Sequence, residues 1–96
     1  MNSIFERVGE AAVLELLAEE CSELAQAALK LARKKRGENP TPKTEAECIA
    51  DLIEEMADVD LCRKVLEDAD WWDQLSLIDM YNKKMKRWQH RLDGVK

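Results

Sequence analysis

LLAEECSELAQAALKL, residues Leu16 to Leu31, is built from residue types that lose least on helix formation, yet acids stand where its apolar stripe should continue. Taken at helical spacing, the stripe runs Val13, Leu16, Glu20, Glu23, Ala27, so two carboxylates interrupt a face otherwise suited to burial. The same interruption recurs downstream, where Cys48, Glu55, Asp58, Cys62 and Val65 lie along one line of a second helical segment. Matched acidic insertions in two helices point to a shared, charge-binding site.

Outward from this stretch, nothing breaks the helix between Glu10 and Arg36. Val13 and Leu16, with the row Leu17, Cys21, Leu24, Ala28 and Leu31, form one wide apolar face. Arg33, Lys34, Lys35 and Arg36 complement the negative helix end, and Gly37 follows as a C-cap. Upstream, Ser3 caps a short first turn through Val8, and Gly9 weakens continuity into the long helix. Downstream, GENPTP is a loop whose prolines remove backbone donors and favour extended geometry before them. Thr44 and Glu47 form a capping box, after which Ile49, Leu52, Ile53, Met56, Val59, Val65 and Leu66 give an apolar helical face to about Asp68. Asp51 and Glu54 fall away from the centre of that face, and Glu55 and Asp58 along its edge.

DADWWDQ, residues 68 to 74, is a second break. Beyond it Ile78, Tyr81, Met85, Trp88 and Leu92 follow helical spacing, and the opposite side carries Asn82, Lys83, Lys86, Arg87, His90 and Arg91. The expectation is an all-α chain with three main helices in one domain, residues 1–96, well below the ~200 residues beyond which chains divide. At ~1.5 Å per residue the first long helix spans ~40 Å, against a radius of gyration of ~13 Å for a compact chain of this size. Three such helices cannot cover their own faces, so a homo-oligomer completing a helical bundle is expected.

Charged residues make up 36% of the chain and the net charge is −5, which argues against general affinity for a nucleic-acid backbone. No apolar run approaches the ~20 residues of a membrane span, and MNSIFERVGE lacks a signal-peptide pattern. Cys21, Cys48 and Cys62 are odd in number, lack metal-ligand spacing and fall at apolar helical positions, as expected of reduced core thiols in a cytoplasmic protein.

Residues three apart on a helix have Cβ atoms ~5 to 6 Å apart, so Glu20 with Glu23, and Glu55 with Asp58, can each pinch one ion. An E-x-x-E in a Glu-rich helix is ordinarily a solvated face. Two such pairs on the apolar edges of neighbouring helices favour a site. All-oxygen ligation suits magnesium or manganese over zinc. Magnesium held this way commonly serves phosphate esters, and Lys83, Lys86 and Arg87 are the cations to grip the phosphates. Trp71 and Trp72 read as packing or interface residues, with base stacking the minor alternative, and His90 as a surface residue.

These residues resemble the all-α nucleoside triphosphate pyrophosphohydrolases of the MazG type. The family hallmark looks like E-x-x-E followed by E-x-x-D, matched by Glu20-Cys-Ser-Glu23 and Glu55-Met-Ala-Asp58 in LAEECSEL and EEMADVD, and the likeness runs from Leu17 to about Arg91. It implies a four-helix-bundle-like core completed as a dimer or tetramer, and magnesium-dependent cleavage of a nucleoside triphosphate between its α and β phosphates. By position, Glu20, Glu23, Glu55 and Asp58 are the implied metal ligands and catalytic carboxylates. Glu19 or Glu54 would orient a water, and Asn82, Lys83, Lys86 and Arg87 would contact phosphates. The 31 residues between Glu23 and Glu55 exceed the usual family spacing, an excess that the GENPTPKT loop can hold. The competing expectation is a helical oligomer that binds or regulates without chemistry.

Overall fold

The computed structural model describes residues 3–38 and 42–94, and every regular element among them is helical. The chain runs α1 (Ile4–Val8), α2 (Glu10–Arg36), α3 (Glu45–Leu66) and α4 (Gln74–Gly94). Local chemistry sets each boundary. Ser3 Oγ accepts from the Glu6 amide at 3.1 Å while Glu6 Oε1 accepts from the Ser3 amide, closing a capping box on α1. Gly9 then turns the chain with φ +96°, a conformation that side chains with a Cβ rarely adopt. At the other end of α2, Gly37 is left-handed, and the amides of Gly37 and Glu38 return to the carbonyls of Lys34 and Arg33. The expected Thr44–Glu47 box opens α3, with bonds of 3.1 and 2.8 Å. Asp73 caps α4 by accepting from the Ser76 amide and hydroxyl. The expected GENPTP loop falls partly on residues 39–41, outside the described residues.

α2 and α3 form an antiparallel hairpin. Lys35 bonds Glu45 at 2.9 Å near the connection, Glu23 meets Glu55 midway, and Val13 and Leu16 lie against Cys62 and Val65 at the far end. There Ile4 and Val8 of α1 close over an apolar cavity of about 110 Å³. Buried apolar side chains among the described residues are few and small: Val13, Ala27, Cys48, Cys62, Leu66 and Ala69. Two expectations change here. Cys21 is exposed and is no core thiol, unlike Cys48 and Cys62. The Ile53 and Met56 flank of α3 is 61% and 52% exposed, because the seam with α2 follows the Cys48–Glu55–Cys62 line instead and no other element among the described residues covers that flank.

α4 stands apart. None of its Cα atoms lies within 8 Å of α1, α2 or α3 among the described residues. It is tethered at its base, where Ala69 is buried and Trp71 Nε1 donates to Glu10 Oε1 at 3.1 Å. The chain therefore measures 49 × 39 × 18 Å with a radius of gyration of 17.3 Å. Its accessible surface is 7780 Å², against about 5,700 Å² for a compact monomer of this mass.

The α3 cap is a direct test of the hairpin. Replacing Thr44 with Ala removes the acceptor for the Glu47 amide and is expected to cost about 1 kcal/mol, read as a loss of roughly 4–8 °C in thermal midpoint. Ser3→Ala, which uncaps only the five residues of α1, is expected to cost less in the same melt.

Candidate metal centre

Two helix faces meet along the hairpin seam, and their composition changes along its length. At the α1 end the facing residues are Val13 and Leu16 against Cys62 and Val65. One turn further, Glu20 and Glu23 of α2 face Glu55 of α3, and one carboxylate oxygen from each lies within 4.8 Å of the other two. The i, i+3 spacing of Glu20 and Glu23 puts both on the same helix face, and the antiparallel register brings Glu55 opposite. Asp58, one turn along α3 and half-buried, is outside that tight group but close enough to act on Glu20 and Glu55 electrostatically.

The cluster is under electrostatic stress. Glu20 Oε2 and Glu55 Oε2 are covered from solvent and have no hydrogen-bond partner. Burial first, then the charges of Glu23 and Asp58, raise the Glu20 carboxyl above its ordinary value. Burial followed by Glu23 and Asp58 does the same to Glu55. No cationic side chain pairs with Glu20, Glu23, Glu55 or Asp58 among the described residues.

A hard divalent cation fits this donor set. Ligand oxygens at the ~2.1 Å of magnesium are separated by about 3 Å when adjacent and about 4.2 Å when opposite, so three oxygens already within 4.8 Å of one another need close by no more than about 2 Å, within the reach of side-chain rotation, to share an ion. Burial, then Glu20 and Asp58, push the Cys62 thiol up, which disfavours the thiolate that zinc requires.

On the side of the cluster towards the α2–α3 connection, a cavity of about 260 Å³ is walled by Glu23, Gln26 and Lys30 of α2, and by Lys43, Asp51 and Glu55. Lys43 bonds the Asp51 carboxylate. Asp51, expected away from the centre of its face, thus belongs to this wall. Lys30 could have been read from the sequence, since it continues the row Glu23, Ala27, Lys30 at helical spacing. Lys43 could not, because its place depends on the path of the connection.

The other sequence-derived candidates are not gathered here within one chain. Asn82, Lys83, Lys86 and Arg87 are exposed on α4, away from the hairpin, and Lys83 pairs with Asp79 at 3.2 Å. Glu19 and Glu54 are exposed and turned about 100° from the seam by helix geometry. Trp71 bonds Glu10, ten residues and roughly 15 Å along α2 from Glu20. His90 is exposed.

The pH response of the cluster has a definite sign. Glu20 and Glu55 are raised above 4.5, so in this range the folded chain holds protons that the unfolded chain releases. Their contribution to stability is present below pH 4.5 and is lost as pH rises through the raised values. Glu55→Gln is therefore expected to raise the thermal midpoint of the metal-free protein at neutral pH and to flatten its fall above pH 4.5. In the parent chain, magnesium or manganese at 100 times its Kd is expected to add about 2.7 kcal/mol, roughly 11–22 °C, with proton release on binding. An unchanged midpoint for both the variant and the metal-loaded parent would remove the metal centre.

No family model matches this chain, and no curated protein or solved structure matches it.

Proposed function

We propose that this chain is a magnesium-dependent nucleoside triphosphate pyrophosphohydrolase of the MazG type, releasing a nucleoside monophosphate and pyrophosphate, with manganese as a substitute ion. One observation carries the reading: three carboxylates, two with a shielded and unpartnered oxygen, converge on a helical seam and pair with no cationic side chain among the described residues. A scaffold gains nothing from that arrangement, since like charges in a partly dry seam oppose the packing around them. A site for a hard cation explains it, and the E-x-x-E and E-x-x-D motifs supply the same residues.

In this reading Glu20, Glu23 and Glu55 hold the ion, with Asp58 completing the set from the next turn. When bound, magnesium supplies neutralisation of phosphate oxygens and acidification of a water molecule. The helices hold the carboxylates at fixed spacing, so little is left to reorganise when substrate arrives.

The same proposal includes a homo-oligomer, a dimer or tetramer. The chain exposes roughly 2,000 Å² more than a compact monomer of its mass, whereas a stable pairwise interface needs only about 800 Å² from each partner. Ile78, Tyr81, Met85, Trp88 and Leu92 repeat at intervals of 3, 4, 3 and 4, the spacing of a helix–helix seam, and all are exposed. A second copy is the occupant whose own uncovered flank, with Ile53 and Met56, presents the complementary apolar surface. In such an assembly the Asn82, Lys83, Lys86 and Arg87 face of one copy can approach the acidic cleft of another, which it does not do within its own chain.

Two measurements test this. With magnesium, a panel of standard and modified nucleoside triphosphates is expected to yield pyrophosphate, and Glu23→Gln or Asp58→Asn to lower kcat by about 100-fold or more with folding retained. Magnesium-dependent stabilisation without turnover of any nucleotide would leave a metal-binding helical module in place of the enzyme. Trp88→Glu is expected to shift the mass measured by light scattering to that of the monomer and to make the parent's concentration-dependent melting concentration-independent.

A further inference from the structure

We propose that the cavity beside the acidic cluster is an anion subsite, in which Lys30 grips the diphosphate end of the substrate once the cluster holds its cation. This rests on the pyrophosphohydrolase reading and adds to it a binding residue and a direction for the bound nucleotide.

The cavity shares two walls, Glu23 and Glu55, with the candidate metal centre, so an ion held there and a ligand in the cavity are direct neighbours. Its two ammonium groups differ in availability. Lys43 is engaged by Asp51, whereas Lys30 makes no hydrogen bond or ion pair with any described residue. Arg63, the one arginine of α3, is committed to Asp60 and Glu67. Lys30 is exposed on a helix that does not need it for packing, which leaves it free to reach a ligand along its flexible stem.

Charge makes the subsite conditional. Three carboxylates, Glu23, Asp51 and Glu55, against two lysines leave the walls at −1, which repels a phosphate. A divalent cation held by Glu20, Glu23 and Glu55 offsets that repulsion, so metal must precede anion. Size then selects the fragment. At about 260 Å³ the cavity falls below the ~300 Å³ at which pockets begin to take whole small molecules. A diphosphate group fits, with the Gln26 amide as a further donor at the wall. The opposite end of the seam, Val13, Leu16, Cys62 and Val65, offers no cation. The polyphosphate therefore points towards the α2–α3 connection, and the reacting phosphorus lies over the carboxylates.

The test is calorimetric titration of the full-length protein with inorganic pyrophosphate, a nucleoside triphosphate and a nucleoside monophosphate, each with and without magnesium. Pyrophosphate and triphosphate are expected to bind the parent only when magnesium is present. Lys30→Ala should weaken both by roughly 10- to 100-fold, the worth of a charged hydrogen bond, leave magnesium affinity, helical content and monophosphate binding unchanged, and raise KM more than it lowers kcat. Lys30→Arg should restore most of the binding. Pyrophosphate affinity unaltered in Lys30→Ala, or absent from the magnesium-loaded parent, overturns the subsite. A parent that binds magnesium and pyrophosphate through Lys30 but turns over no nucleotide overturns the pyrophosphohydrolase reading and leaves the subsite standing.

Discussion

The structure depends on one unfavourable interaction: carboxylates on two helices held against each other in a partly dry seam. Helical hairpins ordinarily use such a seam to bury apolar surface, and this one does so only at its α1 end, with small residues elsewhere. The middle is given to Glu20, Glu23 and Glu55. Because desolvation and mutual repulsion both favour protons on Glu20 and Glu55, the seam near neutral pH holds either protons or charge that no ion pair among the described residues offsets. What stabilises the hairpin must act around that seam: the Thr44 box, the Gly37 cap, the Lys35–Glu45 bond and the closure by α1.

A second shortfall is hydrophobic and sits elsewhere. Leu75, Tyr81, Trp88 and Leu92 are each more than 60% exposed on a helix with no neighbouring helix among the described residues. Burial of a large apolar side chain contributes about 1.5–3 kcal/mol, so this surface represents stabilisation that one chain cannot realise. The Trp71–Glu10 bond fixes where α4 begins without giving it anything to pack on. The two shortfalls are separated in space, one in the seam and one along α4, and they call for different partners: a small hard cation and a large apolar surface.

Much of this was legible in the sequence because its determinants are local. Ser3, Gly9, Gly37 and Thr44 mark boundaries through backbone geometry and capping bonds that involve residues within a few positions. The acidic interruption was legible because helical periodicity places Glu20 and Glu23 on one line irrespective of what they face. The antiparallel register was not local, and neither were its consequences. Cys21 has apolar neighbours in its helical row yet lies outside the seam, since the contact line with α3 passes through Glu20 and Glu23. Asp51 and Lys43 meet at the cavity only because the connection returns there. For α4, periodicity reported an apolar face but carried no information about whether its partner lay in the same chain.

The charge gradient along the seam links these features. Apolar residues occupy one end, carboxylates the middle and lysines the other end, Lys30 from α2 and Lys43 from the connection, the rest on rows repeating every three or four residues along α2 and α3. A helix dipole argument does not account for this order, because the acids lie far from either helix terminus and the dipole acts over the first and last turns. Solvation does not account for it either, since a purely solvated face would not leave shielded oxygens without partners. An elongated ligand with a cation-coordinating centre and an anionic tail matches the order residue by residue. Such a ligand would also reverse the stress in the seam, because each carboxylate that opposes the bare hairpin becomes a donor to the loaded one.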